Sequence, residues 1–236
     1  MTSTAYAQSA AIYDLIYDFK DFPATTVRLR ELIETHSPGA RSILDVGCGT
    51  GRHLELLGSE FERVGIDLSG EMLAVARKRC PDVEFLEADM TAIDLGRRFD
   101  VVTCLFSAVA YVRTVARLDE AIARMAAHLE PDGLLLLEPW LSPERYWVGH
   151  LAVNHAERDG VNVSWMYIQE LVDGCSRFDI HYLVGRPQGV VHFEERHEMG
   201  LFADDQYHGA FRAAGLDTAY DPEGLFGRGL YRASLA

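Results

Sequence analysis

Three glycines at alternate positions, Gly47, Gly49 and Gly51, close the run Ile43-Leu44-Asp45-Val46-Gly47-Cys48-Gly49-Thr50-Gly51. An apolar start followed by such a loop reads as a buried strand ending in a tight turn at a helix N-terminus. Glycines there let the backbone approach a ligand that a Cβ would exclude, and the N–H groups of the next helix face it. The chemistry implied is the binding of a nucleotide-like molecule. A dinucleotide fingerprint would need a third glycine where Arg52 stands, and a P-loop would need a Gly-Lys-Ser/Thr that is absent. Alternate glycines, with Asp45 two residues before the first, fit a ligand without a pyrophosphate.

Two further acids extend this site. Asp67 follows Gly47 by twenty residues and ends Val64-Gly65-Ile66-Asp67, where a carboxylate can accept from both ribose hydroxyls of an adenosine. The next strand ends in Ala88-Asp89-Met90. There Asp89 can accept from an adenine amino group while Met90 packs on the ring; the alternative is that Asp89 only caps the helix that follows. Three coordinated placements favour the ligand.

The elements that must hold these residues follow from periodicity. Tyr6, Ala10, Tyr13 and Tyr17 recur at helical spacing up to Asp21-Phe22-Pro23, and a second helix is predicted from Ala24 to about His36. Strands at Ser42–Val46, Arg63–Ile66 and Val83–Ala88 then alternate with helices at Gly51–Leu57 and Ser69–Arg79, the latter capped by Ser69. Phe99–Leu105 is a fourth strand, Leu118–Leu129 a helix and Leu134–Glu138 a fifth strand, with Pro131-Asp132-Gly133 as the stop between the last two. That alternation is the signature of βαβ units and a parallel sheet. Arg77-Lys78-Arg79 falls at a predicted helix C-terminus, where cations complement the dipole.

After Trp140 the pattern changes. Val161–Ile168, Arg177–Val184 and Val190–Leu201 alternate apolar with polar residues, which predicts an antiparallel meander set into the α/β core. A helix from about Asp204 to Ala214 and strands near Leu216–Tyr220 and Leu230–Leu235 complete the core. The expected division is residues 1–140 with 202–236 as a core, and 141–201 as an inserted sheet serving as lid or dimer surface.

The chain of 236 residues is long enough for one sizeable core. Its 22 Lys+Arg against 36 Asp+Glu, net −14, argue against nucleic-acid or anionic-membrane binding, which need a positive field. Cys48, Cys80, Cys104 and Cys175 have neither metal nor disulfide spacing and suit a reducing cytoplasm. The start MTSTAYAQSA lacks the basic opening and apolar run of a signal peptide, and Leu134–Leu137, the longest strongly apolar run, is too short to span a bilayer.

With the glycine loop, Asp67, Ala88-Asp89-Met90 and the strand Phe99–Val102 leading to Phe106-Ser107, the chain resembles the class I S-adenosylmethionine-dependent methyltransferases over about residues 40–140. The resemblance implies a Rossmann-like α/β fold with a mostly parallel seven-stranded sheet, the last strand antiparallel, helices on both faces and the methyl donor across the strand C-termini. The implied donor-site residues are Asp45, Gly47, Cys48, Gly49, Asp67, Leu68, Asp89, Met90 and Phe106, with no metal. A narrower resemblance covers almost the whole chain through Tyr13-Asp14-Leu15-Ile16-Tyr17, His53-Leu54-Glu55, Ala110-Tyr111, His128–Pro131, Glu138-Pro139-Trp140, His192-Phe193 and Gly227–Leu230. These look like the N-methyltransferases of nucleotide-linked amino sugars, bacterial enzymes that mono- or dimethylate a hexose amine, commonly on a dTDP carrier, on the way to glycosylated antibiotics. Leu141 departs from that pattern, which has a second aromatic after Pro139-Trp140.

Methyl transfer to an amine is an in-line displacement that needs positioning and an unprotonated lone pair. Desolvation in an aromatic pocket lowers an amine's pKa. Tyr13, Tyr17, Tyr111 and Trp140 are candidates to line such a pocket and face the sulfonium. Tyr17, with Tyr13 beside it, is expected nearest the reacting centre. A diphosphate calls for arginine: Arg228 first, then Arg145 and Arg177. Of the nine histidines, His181, His192 and His197 fall in the insert, where a lid could bring one over the substrate. Rival readings are a methyltransferase for another small acceptor, through a carboxylate or hydroxyl, and a non-catalytic donor-binding scaffold. A homodimer through the insert is a further expectation.

Overall fold

The computed structural model describes residues 5–236; part of the N-terminal stretch read above for a signal peptide, residues 1–4, lies outside the described residues. Seven strands form the main sheet: β1 (Ser42–Val46), β2 (Glu62–Asp67), β3 (Glu84–Glu87), β4 (Phe99–Cys104), β5 (Leu129–Leu137), β11 (Leu216–Asp221) and β12 (Leu230–Leu235). Their order is β11-β12-β5-β4-β1-β2-β3. Pairs among β1 to β5 are parallel, and β12 runs antiparallel to both neighbours. This is the expected sheet, with its last strand reversed. The leucines of β5, Leu134–Leu137, are buried throughout, as a parallel strand covered on both faces requires.

The helices α2 (Phe22–His36), α3 (Arg52–Leu57) and α4 (Gly70–Arg79) cover one face of the sheet, and α5 (Val115–Ala127) with α6 (Asp204–Ala213) the other. Local chemistry sets their ends. Asp21 accepts from Ala24 N at 2.9 Å with Pro23 in the first turn of α2, and Ser69 Oγ accepts from Met72 N at 3.2 Å at the start of α4. On α5, Leu118, Ile122 and Met125 are fully buried on one face. His128, its C-cap, bonds Arg124 O and accepts from Leu95 N, a structural histidine.

A second, antiparallel sheet follows β5: β6 (Leu151–Arg158), β7 (Val161–Ile168), β8 (Glu170–Val172), β9 (Cys175–Arg186) and β10 (Gly189–Gly200), in the order β10-β9-β7-β6 with β8 on β9. One of its faces packs on the N-terminal segment: Ile12, Leu15 and Ile16 share a core with Val163, Trp165, Phe178, Ile180 and Tyr182. The N-terminal segment is thus clamped between the insert and the core.

Three expectations are corrected. The first helix does not run from Tyr6, whose φ of 67° is not helical; it is reduced to a 3₁₀ turn at Ser9–Ile12 and a short α1 (Tyr13–Ile16), with non-helical dihedrals at Ile12 between them. The Pro131-Asp132-Gly133 turn does not separate helix from strand but lies within β5 as an irregularity: Phe99 pairs with Leu129 and Val101 already with Leu134. The strand β6 was not foreseen, its residues being almost all exposed or half-exposed. Among the described residues no helix is long and apolar enough to cross a membrane, and no His/Cys/Asp/Glu group is arranged to hold a metal ion. The four cysteines are free thiols, three of them buried.

Candidate active site

The glycine loop leaves β1 at the C-terminal edge of the sheet, where ligands of open α/β folds bind. Gly47 N and Cys48 N both donate to Ile66 O, at 2.8 and 2.9 Å, which folds the loop back against β2. Gly47, Gly49 and Gly51 have φ of 74°, 55° and 73°, a region that side chains disfavour. At Gly47 a Cβ would meet the Ala108 Cβ at 2.5 Å, whereas at Gly49 nothing lies within 4 Å. The loop therefore presents open space above Gly49. A cavity there is lined by Tyr13, Asp45, Gly47 to Thr50, Arg52, His53, Leu105 and Phe106, with Phe22 at its side.

Of the acids predicted from the sequence, Asp45 lines this space and Asp67 bonds the Gly49 backbone that borders it, whereas Asp89 is not among the lining residues. Asp45 is buried and accepts from Thr103 Oγ1 at 2.7 Å; burial pushes its carboxyl up to about 7. Asp67 ends β2 and accepts from Gly49 N at 2.8 Å and Ser69 N at 2.9 Å. Burial raises its pKa against the lowering effect of those N–H groups. Leu68 beside it is exposed, an apolar surface next to the ribose position. Met90 reaches to within 3.8 Å of the Gly47 Cβ position. Asp89 accepts from Thr91 N and Oγ1 at 2.9 and 2.8 Å and from Arg117 Nη2 at 2.8 Å. Burial opposes its ionisation, and the N–H, hydroxyl and guanidinium donors outweigh that and lower its pKa. No helix follows Asp89, so it caps none; its carboxylate closes a turn with Thr91 and pairs with Arg117. Asp67, the glycine loop and the apolar walls fit an adenosine-bearing methyl donor.

The acceptor side is built from three parts of the chain. The N-terminal segment brings Tyr13 and Tyr17, ring centroids 4.7 Å apart, and Tyr17 meets Phe106 edge-on at 5.0 Å. Asp14 between them accepts from Thr50 Oγ1 at 2.9 Å and pairs with Arg79, latching the segment to the glycine loop. Phe106 and Ser107, after β4, have φ of 53° and 63°. The C-terminal loop brings Arg228, pinched at Gly224, where a Cβ would strike the Gly229 backbone at 2.5 Å. The Arg228 guanidinium lies 5.3 Å from the Phe106 ring and 4.6 Å from Trp140, and donates to Ser107 Oγ at 3.2 Å. Trp140 in turn donates to Ser176 Oγ at 3.1 Å. Burial pushes Tyr17 up to about 12, although Arg228 pulls the other way.

Two of the three arginines do not join this cluster. Arg177 is bound by both Nε and Nη2 to Glu170 Oε2, at 3.1 and 2.8 Å. It points away because Ser176 and Phe178, its neighbours on β9, take the inner face and strand alternation sends Arg177 to the other. Arg145 is exposed and lies near Tyr220, outside the Arg228 cluster. His181 and His192 stack on the outer face at 5.6 Å. His197 alone faces inward: Tyr111 Oη joins Tyr6 Oη at 2.6 Å and His197 Nδ1 at 2.8 Å, and burial pushes His197 down to about 4.

The structure adds three residues to which the sequence reading assigned no role. Glu138 is wholly buried beside Phe106. His53 lines the donor cavity with neither ring nitrogen hydrogen-bonded. Lys20 lies 5.3 Å from the Phe226 ring near Arg228. A weak signal existed for Glu138, an acid ending an all-apolar strand.

Comparison with known proteins agrees with this geometry. A family described as "Methyltransferase domain" matches residues 43–133. The dTDP-3-amino-3,6-dideoxy-alpha-D-glucopyranose N,N-dimethyltransferase of Streptomyces fradiae is 42% identical over 226 residues, 94% of this chain and 89% of its own length. The crystal structure of DesVI from Streptomyces venezuelae superposes with a TM-score of 0.93 at 39% identity, covering 98% of this chain and 99% of that one. CalS10 of Micromonospora echinaspora, an amino pentose methyltransferase solved with S-adenosylmethionine bound, gives 0.87 at 37% identity over 95% of this chain and 97% of its own. With identity sustained from end to end, the chain belongs to the S-adenosylmethionine-dependent N-methyltransferases related to the enzymes of dTDP-linked amino sugars.

Proposed function

We propose that the enzyme methylates, twice in succession, the amino group of a dTDP-linked amino-deoxy sugar destined for a glycosylated secondary metabolite. The observation that carries this reading is Arg228, a cation stacked on Trp140 and Phe106 at the mouth of the acceptor side and free of any ion pair among the described residues. In a chain of net charge −14, such an uncommitted guanidinium suits a diphosphate. In this reading the donor supplies an electrophilic methyl group on sulfonium. Asp67 holds the ribose, Gly47 to Gly49 and Phe106 line the methionine end, and Met90 with Leu68 packs on the base. Tyr13, Tyr17 and Trp140 exclude water from the amine. Tyr111, whose hydroxyl is engaged by Tyr6 and His197, contributes its ring as a wall. The division into a donor-binding core (1–140, 202–236) and an acceptor-side insert (141–201) belongs to the same proposal, as does a cytoplasmic setting suited to four free thiols.

We further propose a homodimer through the outer face of the inserted sheet. Leu151, Val153, Met166, Ile168 and Leu183 are exposed there, on strands of 8 to 12 residues. Four such strands at about 4.8 Å spacing give a face on the scale of the roughly 800 Å² per partner of a stable complex.

The substrate reading is tested by calorimetric titration with S-adenosylhomocysteine and then with a panel of dTDP-amino sugars, followed by mass spectrometry of the products. A mass gain of two methyl groups on one of the sugars is expected. Donor-product binding without binding of any dTDP-amino sugar would sink it.

A further inference from the structure

Glu138 ends β5 beside the end of β4, its N–H donating to Cys104 O at 2.9 Å. Its side chain is fully buried. One oxygen, Oε2, accepts the Phe106 N–H at 2.7 Å and so pins the turn where Phe106 and Ser107 take positive φ. The other, Oε1, is buried with no hydrogen-bond partner. Leaving a buried acceptor unpaired is costly, and a ligand donor would remove that cost.

The surroundings say what that donor is. Two cations act on the carboxylate, Arg228 from the C-terminal loop and Lys20 from the N-terminal segment, and among the described residues neither closes an ion pair. The other titratable neighbour is the Cys104 thiol, and Tyr17 and Tyr167 face Arg228. Burial pushes the Glu138 carboxyl up to about 7, with Arg228, the Phe106 N–H and Lys20 all favouring the ionised form. A base with that property at neutral pH is well matched to proton transfer. Capping Phe106 needs one oxygen and no charge, so the cap alone does not explain a buried acid.

We propose that Glu138 is a catalytic residue that receives the acceptor's ammonium group at Oε1 and takes its proton, so that the amine attacks as the free base. The inference rests on the amino-sugar reading above. An aliphatic amine ordinarily titrates at about 8–10, so at neutral pH it arrives without a lone pair. The ammonium and carboxylate become the neutral amine and the carboxylic acid. The nitrogen lone pair then forms the N–C bond as the S–C bond to the methyl breaks, its electron pair staying on sulfur. The product leaves as a methylammonium, Glu138 gives its proton to water when the site opens, and a second methylation repeats the cycle.

Glu138→Gln keeps an oxygen for the Phe106 N–H and removes the base; Glu138→Ala removes both. With S-adenosylhomocysteine bound, binding of a dTDP-amino sugar is measured by calorimetry at pH 7.5 in two buffers of different ionisation enthalpy. The wild type takes up the sugar with little proton release. Glu138→Gln must bind the neutral amine and releases about one proton per sugar. Its kcat/KM at pH 7 falls roughly 10²–10⁴-fold and recovers as the pH passes the amine's own pKa. Equal proton release from both proteins, an unchanged rate, or a loss independent of pH would each overturn the proposal. Failure of the wild type to bind any dTDP-amino sugar would overturn the substrate reading and this inference together.

Discussion

Single acids in this site do two jobs at once. Asp67, proposed above to hold the ribose, already accepts from Gly49 N and Ser69 N, so the same carboxylate also shapes the glycine loop. Asp45, one strand over, is the costlier case, because it is buried with Thr103 as its hydrogen-bond donor. Its carboxyl rises from 3.8 to about 7 on burial. The folded protein therefore holds a proton there that the unfolded chain has lost above about pH 4. The stability this group contributes is greatest below that pH, falls as pH rises through about 7, and levels off beyond; one group shifted this far contributes about 4 kcal/mol at most. Asp45→Asn, which keeps the Thr103 contact, is expected to flatten the decline in Tm between pH 4 and 7 and to raise Tm at pH 7.5. A calorimetric pH series checks this, and an unchanged slope in the variant would show that Asp45 is not the buried acid responsible. Glu138 adds a fall of the same sign, so a residual slope is expected.

At the scale of elements, the donor site was legible because its signals are local. The glycine spacing, the acids at strand ends and the Ser69 cap all sit where β1, β2 and α4 require them, and Ser42–Val46 is the strand the sequence pattern predicts. The acceptor side was legible only in part. Tyr17, Trp140 and Arg228 do converge, but Arg177 does not, although alternation along Ser176-Arg177-Phe178 already separates it from its inward neighbours. For Glu138 the sequence offers only the weak signal of an acid after an apolar run, and for His53 only membership of a motif, since what marks both is unpaired polar atoms in a buried setting, a property of packing between distant segments. The N-terminal segment shows the same dependence. Its periodicity suggests one helix, yet Asp14 bonding Thr50 and Arg79 makes it a strap over the glycine loop. Asp14→Ala leaves Arg79 with its weaker partner Glu55, at 3.5 Å. It is expected to weaken S-adenosylhomocysteine binding by roughly 1.5–3 kcal/mol, the range for hydrogen bonds to a charged group, and to speed amide exchange across Tyr13–Tyr17. Unchanged exchange there would mean that the packing of Ile12, Leu15 and Ile16 on the insert holds the strap without the latch.

For the whole molecule, the inserted sheet connects the acceptor side to assembly. Its inner face carries Trp165, Phe178 and Tyr182 against the N-terminal strap, so ordering the insert also orders the wall that holds Tyr13 and Tyr17. Its outer face exposes Val153 at 64%, Leu151 at 56% and Ile168 at 54%, in register across β6 and β7, where Leu151 pairs with Ile168 and Val153 with Met166. Two copies each carrying −14 repel one another, so they can meet only where charge is balanced. On this face Arg196 pairs with Asp179 and Arg177 with Glu170, so these charges offset one another beside the apolar centre. The expected outcome is that the protein sediments at twice its 26.4 kDa chain mass. The double variant Val153→Asp/Met166→Asp, which sets two carboxylates at a directly paired position, is expected to sediment as a monomer. S-adenosylhomocysteine binding by that variant checks that the core remains folded, because the donor cavity draws nothing from this face. If the wild type sediments as a monomer, or the variant remains dimeric while binding the donor product, the outer face is not the contact. If the dimer is lost and acceptor KM rises while donor affinity holds, the insert transmits assembly to the acceptor wall through the strap rather than through the main sheet.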